Sequence, residues 1–360
     1  MSERVAVAMS GGVDSSVAAG ILKEEGWEVV GLAMHLWEGE GTSGNGKRCC
    51  GERDLLDARA VAARLEIPCY VLDFQKEFHR EVLLPFARGY LGGSTPIPCI
   101  LCNSEVKFRH LQDMARRIGA VYLATGHYAR VARDRTRGRY RLLKGVDPRK
   151  DQSYYLFNLD QQQLGSLLLP LGDRTKDSIR ALARKWGLPV SEKPESQDLC
   201  FASSGGYREM IDRIAPAGSR RPGEIVDKRG NILGRHDGIE GFTIGQRKGL
   251  GVSLPEPTYV IGLEPDRNRV VVGTREELEC RVLVATGVNW IAYDPPEDEF
   301  EATARIRSQH PGAPARILPG KDGRVRVEFH RPQGAIAPGQ AVVFYNGDEV
   351  LGGGWIAGSG

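Results

Sequence analysis

The sequence contains little that would place the chain in a membrane or in an oxidising compartment. None of its apolar stretches approaches the roughly 20 residues that a helix needs to cross a bilayer. Its start, MSERVAVAMSGG, enters a short apolar run without the hydrophobic region of a signal peptide. Cysteine is scarce, and the seven residues present are an odd number that cannot all pair within one chain. We therefore expect a cytoplasmic protein without membrane contact, whose thiols stay reduced.

The composition also lacks a strong excess of either charge. The formal net charge is +3, and 26% of the residues are charged. Such a balance neither requires nor excludes a nucleic-acid partner, because a local basic face matters more than the total. The chain has no internal repeat and no low-complexity tract, and its 360 residues predict two or three domains.

Strand and helix patterns alternate through residues 1–205. Buried strands are predicted over 4–9, 28–37, 69–74 and 121–128, and helices over 15–27, 52–65, 75–91, 103–119 and 174–187. In the second helix, one face is predicted from the spacing of Leu55, Leu56, Arg59, Ala60 and Ala63. This alternation predicts an α/β fold with a doubly wound, parallel sheet.

The pattern changes after about residue 205. A short helix is predicted over 207–214, followed by brief β runs that Gly, Asn and Pro interrupt, in a small mixed domain over 206–275. Residues 276–360 show only β patterns, with Lys-Asp-Gly and Asn-Gly-Asp at expected hairpin turns. We expect this last part to form an all-β barrel.

The most informative stretch follows the first predicted strand. Ser-Gly-Gly-Val-Asp-Ser-Ser (10–16) turns the chain into a helix. Glycines let backbone N–H groups approach an anion closely, and a helix N-terminus favours negative charge. The stretch lacks the Gly-Lys-Ser/Thr ending of a Walker A loop and the dinucleotide G-x-G-x-x-G pattern. A plain strand-to-helix turn with a Ser or Asp cap is the alternative.

A second informative stretch is TPIPCILCN (95–103), which spaces Cys99 and Cys102 as Cys-x-x-Cys. This spacing occurs in metal half-sites and redox pairs, and around single catalytic thiols. Cys102 directly precedes the helix predicted from residue 103, and a helix N-terminus there is expected to lower its pKa. Cys200 lies in the polar segment KPESQDLCF.

The remaining cysteines give weaker indications. Cys69 and Cys280 fall in β patterns and are predicted to be small buried hydrophobic residues. Cys49 and Cys50 lie in a polar, glycine-rich stretch, where surface thiols and weak metal contacts are both open interpretations.

Long segments of the chain resemble one family. Ser-Gly-Gly-Val-Asp-Ser-Ser resembles the PP-loop of ATP pyrophosphatases, which cleave ATP between the α and β phosphates. From end to end the chain is similar to the bacterial tRNA-specific 2-thiouridylases. The segments that carry this resemblance are MSGGVDSSVAA, LLDARAVAARLEIPCYVLDF, TPIPCILCNSEVKF, ATGHYAR, KDQSYYL, KPESQDLCF, GFTIGQRKGLG and VFYNGDEVLGGG.

The resemblance implies an ATP site and a reaction. ATP, with Mg²⁺ to neutralise the leaving pyrophosphate, would adenylate O2 of the wobble uridine of certain tRNAs, expected to be the Lys, Glu and Gln types. The implied ATP contacts are Ala8, Met9, Ser10, Gly11, Gly12, Val13, Asp14, Ser15, Met34 and Gly126.

The resemblance also implies how sulfur arrives. Cys200 would carry a persulfide, loaded by a sulfur-relay protein or a cysteine desulfurase. Cys102 would act as the nucleophile that releases the sulfur, either by attacking the persulfide or through a transient Cys102–Cys200 disulfide. An alternative is an iron–sulfur cluster held by Cys99, Cys102 and Cys200, with one iron free to carry sulfur.

The RNA contacts are implied in the same way. Ile97, Pro98 and Cys99 align with contacts to the target base, which must be flipped out of its stack. The implied tRNA contacts are His127, Lys150, Asp151, Gln152, Arg307, Ser308 and Gln340. The chain departs from the family pattern at Ile97, where Asn is common, and at Ser308, where an aromatic residue is common. The basic segments 135–141 and 304–310 would supply charge for phosphates, or form ordinary solvated faces.

Two other functions compete with this interpretation. Another PP-loop adenylating enzyme, such as an amidotransferase-linked synthetase, needs no paired thiols, and the chain shows no glutaminase domain. A non-catalytic tRNA-binding or redox-sensing protein would leave the intact Ser-Gly-Gly-Val-Asp-Ser-Ser without a role.

Overall fold

The computed structural model describes residues 3–37, 51–195, 199–201, 206–216, 218–252 and 256–359. The chain divides into two units. The first comprises residues 1–82, 99–204 and 348–350, and the second comprises residues 83–98, 205–347 and 351–360. Cys49 and Cys50 lie outside the described residues. Among the helices that are described, none is both long and apolar enough to span a bilayer.

A parallel sheet forms the centre of the first unit. Its strands are β1 (Arg4–Ala8), β2 (Glu28–His35), β3 (Cys69–Asp73), β4 (Tyr122–Ala124) and β7 (Leu167–Leu168), in the order β3-β2-β1-β4-β7. Val5, Ala6 and Val7 are fully buried, as expected for a strand whose two faces are both covered. The predicted parallel sheet is confirmed, although the fourth strand is shorter than residues 121–128.

Helices follow the strands as the alternation predicts. Those that precede residue 205 are α1 (Val13–Glu24), α2 (Glu52–Arg64), α3 (Gln75–Phe78), α4 (Leu84–Leu91), α5 (Pro98–Leu101), α6 (Leu111–Arg117), α7 (Gln161–Gly165) and α8 (Lys176–Lys185). Residues His79–Leu83 and Cys102–His110 are π-helical, and Ser153–Leu156 form a 3₁₀ turn. The predicted helix over 75–91 is thus α3, a π-helical turn and α4.

Two expectations about the helices are wrong. The buried face of α2 is formed by Asp54, Ala58, Val61 and Ala62, whereas Leu56 is 62% exposed. Small alanines gave the two faces similar polarity, so the periodicity selected the wrong one. The helix expected to begin at residue 103 begins at Pro98, because α5 runs directly into the π-helical segment.

A β-hairpin in the first unit was not predicted. Its strands are β5 (Ala129–Asp134) and β6 (Arg139–Lys144), which pair in an antiparallel register. Glu349 and Val350 pair with Leu143 and Leu142 of β6. The basic segment 135–141 therefore forms the turn and the start of β6, and Arg141 makes an ion pair with Glu349 at 2.9 Å.

The second unit contains a helix and two β structures. The helix α9 (Gly206–Ile214) confirms the prediction over 207–214. The first β structure is a sheet in the order β10-β11-β8-β9, made of β8 (Gly223–Asp227), β9 (Ile232–His236), β10 (Tyr259–Glu264) and β11 (Arg269–Gly273). Ile225, Val260 and Val270 are fully buried in its core.

The second β structure is a closed antiparallel barrel, as predicted. After a short helix α10 (Arg275–Leu278), its strands are β12 (Glu279–Trp290), β13 (Phe300–Arg305), β14 (Ala313–Pro319), β15 (Val325–Gly334), β16 (Ala341–Asn346) and β17 (Glu349–Ser359). Their order is β12-β15-β14-β13-β16-β17, and pairing of β12 with β17 closes the barrel. Alternate residues of β14 point into its core: Ala313, Ala315 and Ile317 are buried.

Candidate functional site

The loop between β1 and α1 is organised by its serine hydroxyls. The Ser10 N–H donates to Ser15 Oγ at 3.1 Å, and Ser15 Oγ donates to the Gly12 carbonyl at 3.3 Å. Ser16 Oγ donates to the same carbonyl at 2.7 Å. Because the first N–H groups of an α-helix have no intrahelical acceptor, the start of α1 presents donors suited to an anion.

Two glycines bring the loop close to neighbouring backbone. A Cβ at Gly11, where φ is +68°, would lie 2.2 Å from the Asp54 carbonyl oxygen. A Cβ at Gly126, just after β4, would lie 2.6 Å from the Ser15 nitrogen. Only glycine fits either position, so the loop is held between α2 and the carboxyl end of the sheet. Ligands of open α/β sheets bind at this end.

Asp14, in the first turn of α1, is held by two partners. Lys176 Nζ lies 2.7 Å from each carboxylate oxygen, and the Tyr128 hydroxyl donates to Oδ1 at 2.7 Å. Lys176 is only 5% exposed, so its ammonium depends on these contacts in place of water. Burial, together with the charge of Asp14, raises the pKa of Tyr128, which therefore remains a hydrogen-bond donor at neutral pH.

Lys193 anchors the opposite side of the loop. Its Nζ donates to the Gly11 carbonyl at 2.9 Å, to Asp54 at 2.6 Å and to Asp57 at 2.5 Å. Burial alone would lower the pKa of Lys193. The hydrogen bonds and charges of the two aspartates outweigh it and raise the pKa, so the lysine stays charged.

The Lys150-Asp151-Gln152 segment serves the architecture of the site. The Asp151 carboxylate accepts from the N–H groups of Gly145 and Ser153, and Gln152 Oε1 accepts from the Tyr128 N–H at 2.9 Å. Lys150 pairs with Glu195 at 2.6 Å, while about a third of its side chain is exposed. Asp151 and Gln152 therefore order the turn beside Tyr128, and Lys150 retains a surface for a further contact.

The other residues aligned with ATP contacts are mostly buried. Met9, Val13 and Met34 are 2%, 5% and 8% exposed, and Ala8 is half-buried. A Cβ at Gly31 would lie 2.6 Å from the Met9 sulfur, so this side chain packs onto the sheet. Met9 and Val13 therefore offer a ligand mainly backbone atoms.

The three cysteines of interest differ in exposure. Cys99 is exposed, Cys102 is 6% exposed and Cys200 is half-buried. Cys102 is the first residue of the π-helical segment, one turn inside a helix that begins at Pro98. The expectation that Cys102 lies at a helix N-terminus is therefore wrong, and the dipole argument for a lowered pKa does not hold, since the effect is confined to the first turn. Such π-helical insertions are frequent at functional sites.

The residues next to Cys102 and Cys200 are held by packing and hydrogen bonds. Phe201, next to Cys200, is 4% exposed, and its ring lies 5.9 Å from that of Phe78 at the end of α3. Asn103, next to Cys102, is buried and donates to the Tyr155 carbonyl at 3.2 Å. The other two described cysteines, Cys69 and Cys280, are half-buried against apolar cores, and burial raises the pKa of Cys69.

His127 follows Gly126 at the carboxyl edge of the sheet. Its Nδ1 is hydrogen-bonded to the Thr125 hydroxyl at 2.8 Å, and its ring is 5.9 Å from that of Phe108. The surrounding protein atoms shield the imidazole from water, which disfavours its charged form, and the positive charge of Lys107 adds to this effect. Together they lower the pKa of His127 to about 3. The imidazole is therefore neutral at physiological pH, and any RNA contact it makes is a hydrogen bond or a stacking contact.

The residues aligned with base and RNA contacts outside this edge are also located. Ile97 is half-buried and Pro98 is buried. On the barrel, Arg307 is exposed and donates to the Gly334 carbonyl at 3.2 Å, while the Ser308 carbonyl accepts from Arg305. Gln340 donates to the Thr95 carbonyl at 2.7 Å. Arg307 thus presents an accessible charge, whereas the Gln340 amide nitrogen already has an acceptor.

The donor set for a metal is limited. Within the described parts of the chain, no group of three or more His, Cys, Asp or Glu side chains could hold a metal ion. The iron–sulfur alternative on Cys99, Cys102 and Cys200 therefore finds no ligand set there. Mg²⁺ needs less from the protein, because it is commonly held by phosphates and one or two carboxylates, and Asp14 is the carboxylate within the loop.

Sequence reasoning missed the charged residues that hold this site together. Lys176, Lys193 and Glu195 were not identified, because a lysine in a charged helix pattern or a polar segment is ordinarily solvated. The only signal was weak: Lys193 and Glu195 belong to KPESQDLCF, which was singled out for its cysteine.

Comparison with known families covers nearly the whole chain. Residues 3–204 match the family described as tRNA methyl transferase HUP domain. Residues 211–274 match the tRNA methyl transferase PRC-barrel domain, and residues 280–356 match the aminomethyltransferase beta-barrel domain. These descriptions agree with the parallel sheet, the small middle sheet and the barrel seen here.

Individual relatives are more specific. A tRNA-specific 2-thiouridylase MnmA from Geotalea uraniireducens is 51% identical over 98% of this chain and 95% of its own length. The one from Moorella thermoacetica is 50% identical over 97% of this chain and 98% of its own. A solved NMN synthetase from Francisella tularensis is 15% identical over 61% of this chain and 80% of its own, with a TM-score of 0.35. Because proteins named tRNA-specific 2-thiouridylase share half of their residues with this chain over nearly full length, the chain belongs to that family.

Proposed function

We propose that the chain catalyses the ATP-dependent 2-thiolation of the wobble uridine of tRNA in the cytoplasm. The proposal rests on one observation. The first unit contains the Ser-Gly-Gly-Val-Asp-Ser-Ser loop at the start of α1, and it also contains Cys102 and Cys200. The relatives named as 2-thiouridylases support the substrate. Residues 1–205 would carry the chemistry, and the barrel over 276–360 would contact RNA.

The first step is adenylation of the base. O2 of the uridine attacks the α-phosphorus of ATP, the bond to the bridging oxygen breaks, and pyrophosphate leaves. The loop from Ser10 to Ser15 would hold the departing pyrophosphate through backbone N–H groups at the start of α1. Mg²⁺ bound by the phosphates would neutralise their charge. The product carries AMP on O2, which makes C2 electrophilic.

The second step replaces AMP with sulfur. The terminal sulfur of a Cys200 persulfide attacks C2, and AMP leaves with the original O2 atom. The Cys102 thiolate then attacks Cys200 Sγ, so that the sulfur–sulfur electron pair moves to the transferred atom and leaves a thiocarbonyl. The resulting Cys102–Cys200 disulfide requires a dithiol reductant before the next cycle. Alternatively, Cys102 attacks the persulfide first and releases hydrosulfide, which displaces AMP.

Recognition would combine a flipped base with phosphate contacts. Ile97, Pro98 and Cys99 would meet the target base, and His127 and Lys150 would contact RNA beside the loop. Arg307 is exposed on the barrel, as a phosphate contact requires. A sulfur-relay protein or a cysteine desulfurase would load Cys200.

Isotope transfer tests the adenylation step directly. A tRNA with ¹⁸O at O2 of its wobble uridine is incubated with the protein, ATP, and a cysteine desulfurase with cysteine. We expect 2-thiouridine in the RNA and the heavy oxygen in AMP. Heavy oxygen in inorganic phosphate, with ADP formed, would mean phosphoryl transfer instead, and absence of 2-thiouridine would overturn the assigned reaction.

A further inference from the structure

The segment that leads to Cys200 is attached to the loop at the start of α1. Lys193 and Glu195, seven and five residues before Cys200, make ion pairs with side chains around this loop, and Lys193 also donates to a carbonyl of the loop. All these residues belong to the first unit. In the proposed reaction the loop serves adenylation and Cys200 serves sulfur transfer. Their attachment therefore affects how readily sulfur transfer follows adenylation.

The first attachment is centred on Lys193. One ammonium group contacts the Gly11 carbonyl of the loop and two carboxylates of α2, Asp54 and Asp57, all within 2.9 Å. Asp54 is 5% exposed, so it depends on Lys193 for its charge compensation. Separating Lys193 from Asp54 would leave a buried carboxylate without its counter-charge, which costs free energy. The attachment therefore resists movement.

The second attachment is centred on Glu195. Its carboxylate pairs with Lys150 at 2.6 Å and with Lys176 at 3.2 Å. Lys176 contacts both oxygens of Asp14 at 2.7 Å, so one buried ammonium joins the loop to Glu195. Burial alone would raise the pKa of Glu195, but the two lysines outweigh it and lower the pKa, so the carboxylate is ionised at neutral pH.

Chain length limits how far Cys200 can move from this anchor. Five residues span at most about 17 Å when fully extended. With Glu195 fixed at Lys150 and Lys176, the Cα atom of Cys200 stays within about this distance of the Glu195 Cα atom. On its other side, Phe201 packs against Phe78 in the same unit.

We propose that Lys193 and Glu195 are positioning residues, which hold Cys200 near the loop so that sulfur transfer follows adenylation. This inference rests on the proposed function. Neither residue needs to touch the reacting atoms: each acts through the placement of Cys200. Weakening an attachment should slow the second step more than adenylation, so that more of the activated base is hydrolysed by water.

The test measures both steps in the same reaction. Full-length protein carrying Glu195→Gln or Lys193→Gln is compared with wild type for pyrophosphate released and 2-thiouridine formed, using tRNA, ATP, and a cysteine desulfurase with cysteine. Glu192→Gln is the matched control, because Glu192 lies in the same segment and pairs with Arg184 on the exposed surface. Glu195→Asp keeps the charge and is expected to restore part of the coupling.

The expected result is a changed ratio between the two products. Wild type and Glu192→Gln should form about one 2-thiouridine for each pyrophosphate released, and the ratio should fall about tenfold in Glu195→Gln. An unchanged ratio in both attachment variants, whether their rates fall or not, would reduce the attachments to a structural role. If wild type releases pyrophosphate but forms no 2-thiouridine, the proposed function fails and this inference fails with it. Thermal unfolding identifies a variant that has lost its fold. If Glu195→Gln has lost its fold, the ratio of 2-thiouridine to pyrophosphate in Glu195→Asp is compared with that of wild type in its place, and an unchanged ratio contradicts the positioning role.

Discussion

The loop region of the first unit and the barrel of the second use charge in opposite ways. Around the loop, charged side chains are buried or half-buried and joined across long stretches of sequence. Lys176 reaches Asp14 from 162 positions away, and Lys193 reaches Gly11 from 182. On the barrel, pairs such as Arg326 with Glu328 are two residues apart and exposed.

This difference separates what each region can do. A buried network fixes geometry, because each member loses its charge compensation when a partner moves. An exposed pair contributes little to stability, and an exposed arginine that contacts a backbone carbonyl, such as Arg307, keeps its charge available to another partner. The loop region is therefore suited to positioning reactants, and the barrel surface to contacting a polyanion. The predictions below test this division.

The largest effect is expected from the thiols of the first unit. Cys200→Ala and Cys102→Ala should each lower 2-thiouridine formation by roughly a thousandfold or more, because each removes a sulfur that forms or breaks a bond. Pyrophosphate release should continue, since neither thiol takes part in adenylation. Mass spectrometry of RNA nucleosides and a pyrophosphate assay measure the two steps. Full thiolation by Cys280→Ala would serve as the control, and full thiolation by either of the other variants would contradict the thiol mechanism.

The next effect tests how tightly the loop is held. Gly126→Ala should slow pyrophosphate release about a hundredfold, because its Cβ would lie 2.6 Å from the Ser15 nitrogen and displace the loop. In Gly51→Ala, the new Cβ meets nothing within 4 Å, and the rate should stay near that of wild type. Equal rates for the two variants would show that the close approach at Gly126 does not matter for catalysis.

Patterns with a local origin were predicted from the sequence. The strands of the parallel sheet are short apolar runs, and the loop is a continuous string, so both are visible in one window. The barrel followed from alternation and turn residues. Cys102, Cys200 and the loop residues were selected in the same way, from local strings that resemble a family.

Features that depend on distant partners were not predicted. Lys176 begins a helix whose other charged side chains are exposed or half-buried, and nothing near it indicates that it is buried beside Asp14. The hairpin of β5 and β6 was overlooked because its arginines suggested a solvated segment, whereas Glu349, more than 200 positions away, pairs with Arg141. The helix at Pro98 was placed five residues late because the two prolines around Ile97 indicated a loop.

A moderate effect is expected on the barrel. Arg307→Ala should weaken tRNA binding by roughly tenfold or less and reduce the slope of log K against log salt by about one, since one phosphate contact is lost. Arg326→Ala removes the same charge from the same barrel at a residue paired with Glu328, and should change binding less. Filter binding at several salt concentrations measures both. Equal slopes for the two variants would mean that Arg307 faces solvent in the complex.

The smallest effect concerns His127 at the sheet edge, where burial again distinguishes the first unit from an exposed surface. Its pKa is lowered from 6.5 to about 3, so between these values the unfolded chain binds a proton that the folded protein excludes. Stability therefore falls as pH decreases from about 6.5 towards 3, and His127→Gln should lose less stability than wild type between pH 7.5 and pH 5.5. His330→Gln, on the exposed barrel surface, should behave like wild type.

Burial also lowers the pKa values of His236 and His310, so the acid sensitivity should decrease in His127→Gln without disappearing. Thermal unfolding midpoints at the two pH values measure the difference. An acid shift in His127→Gln as large as that of wild type would mean that folding does not lower the pKa of this imidazole.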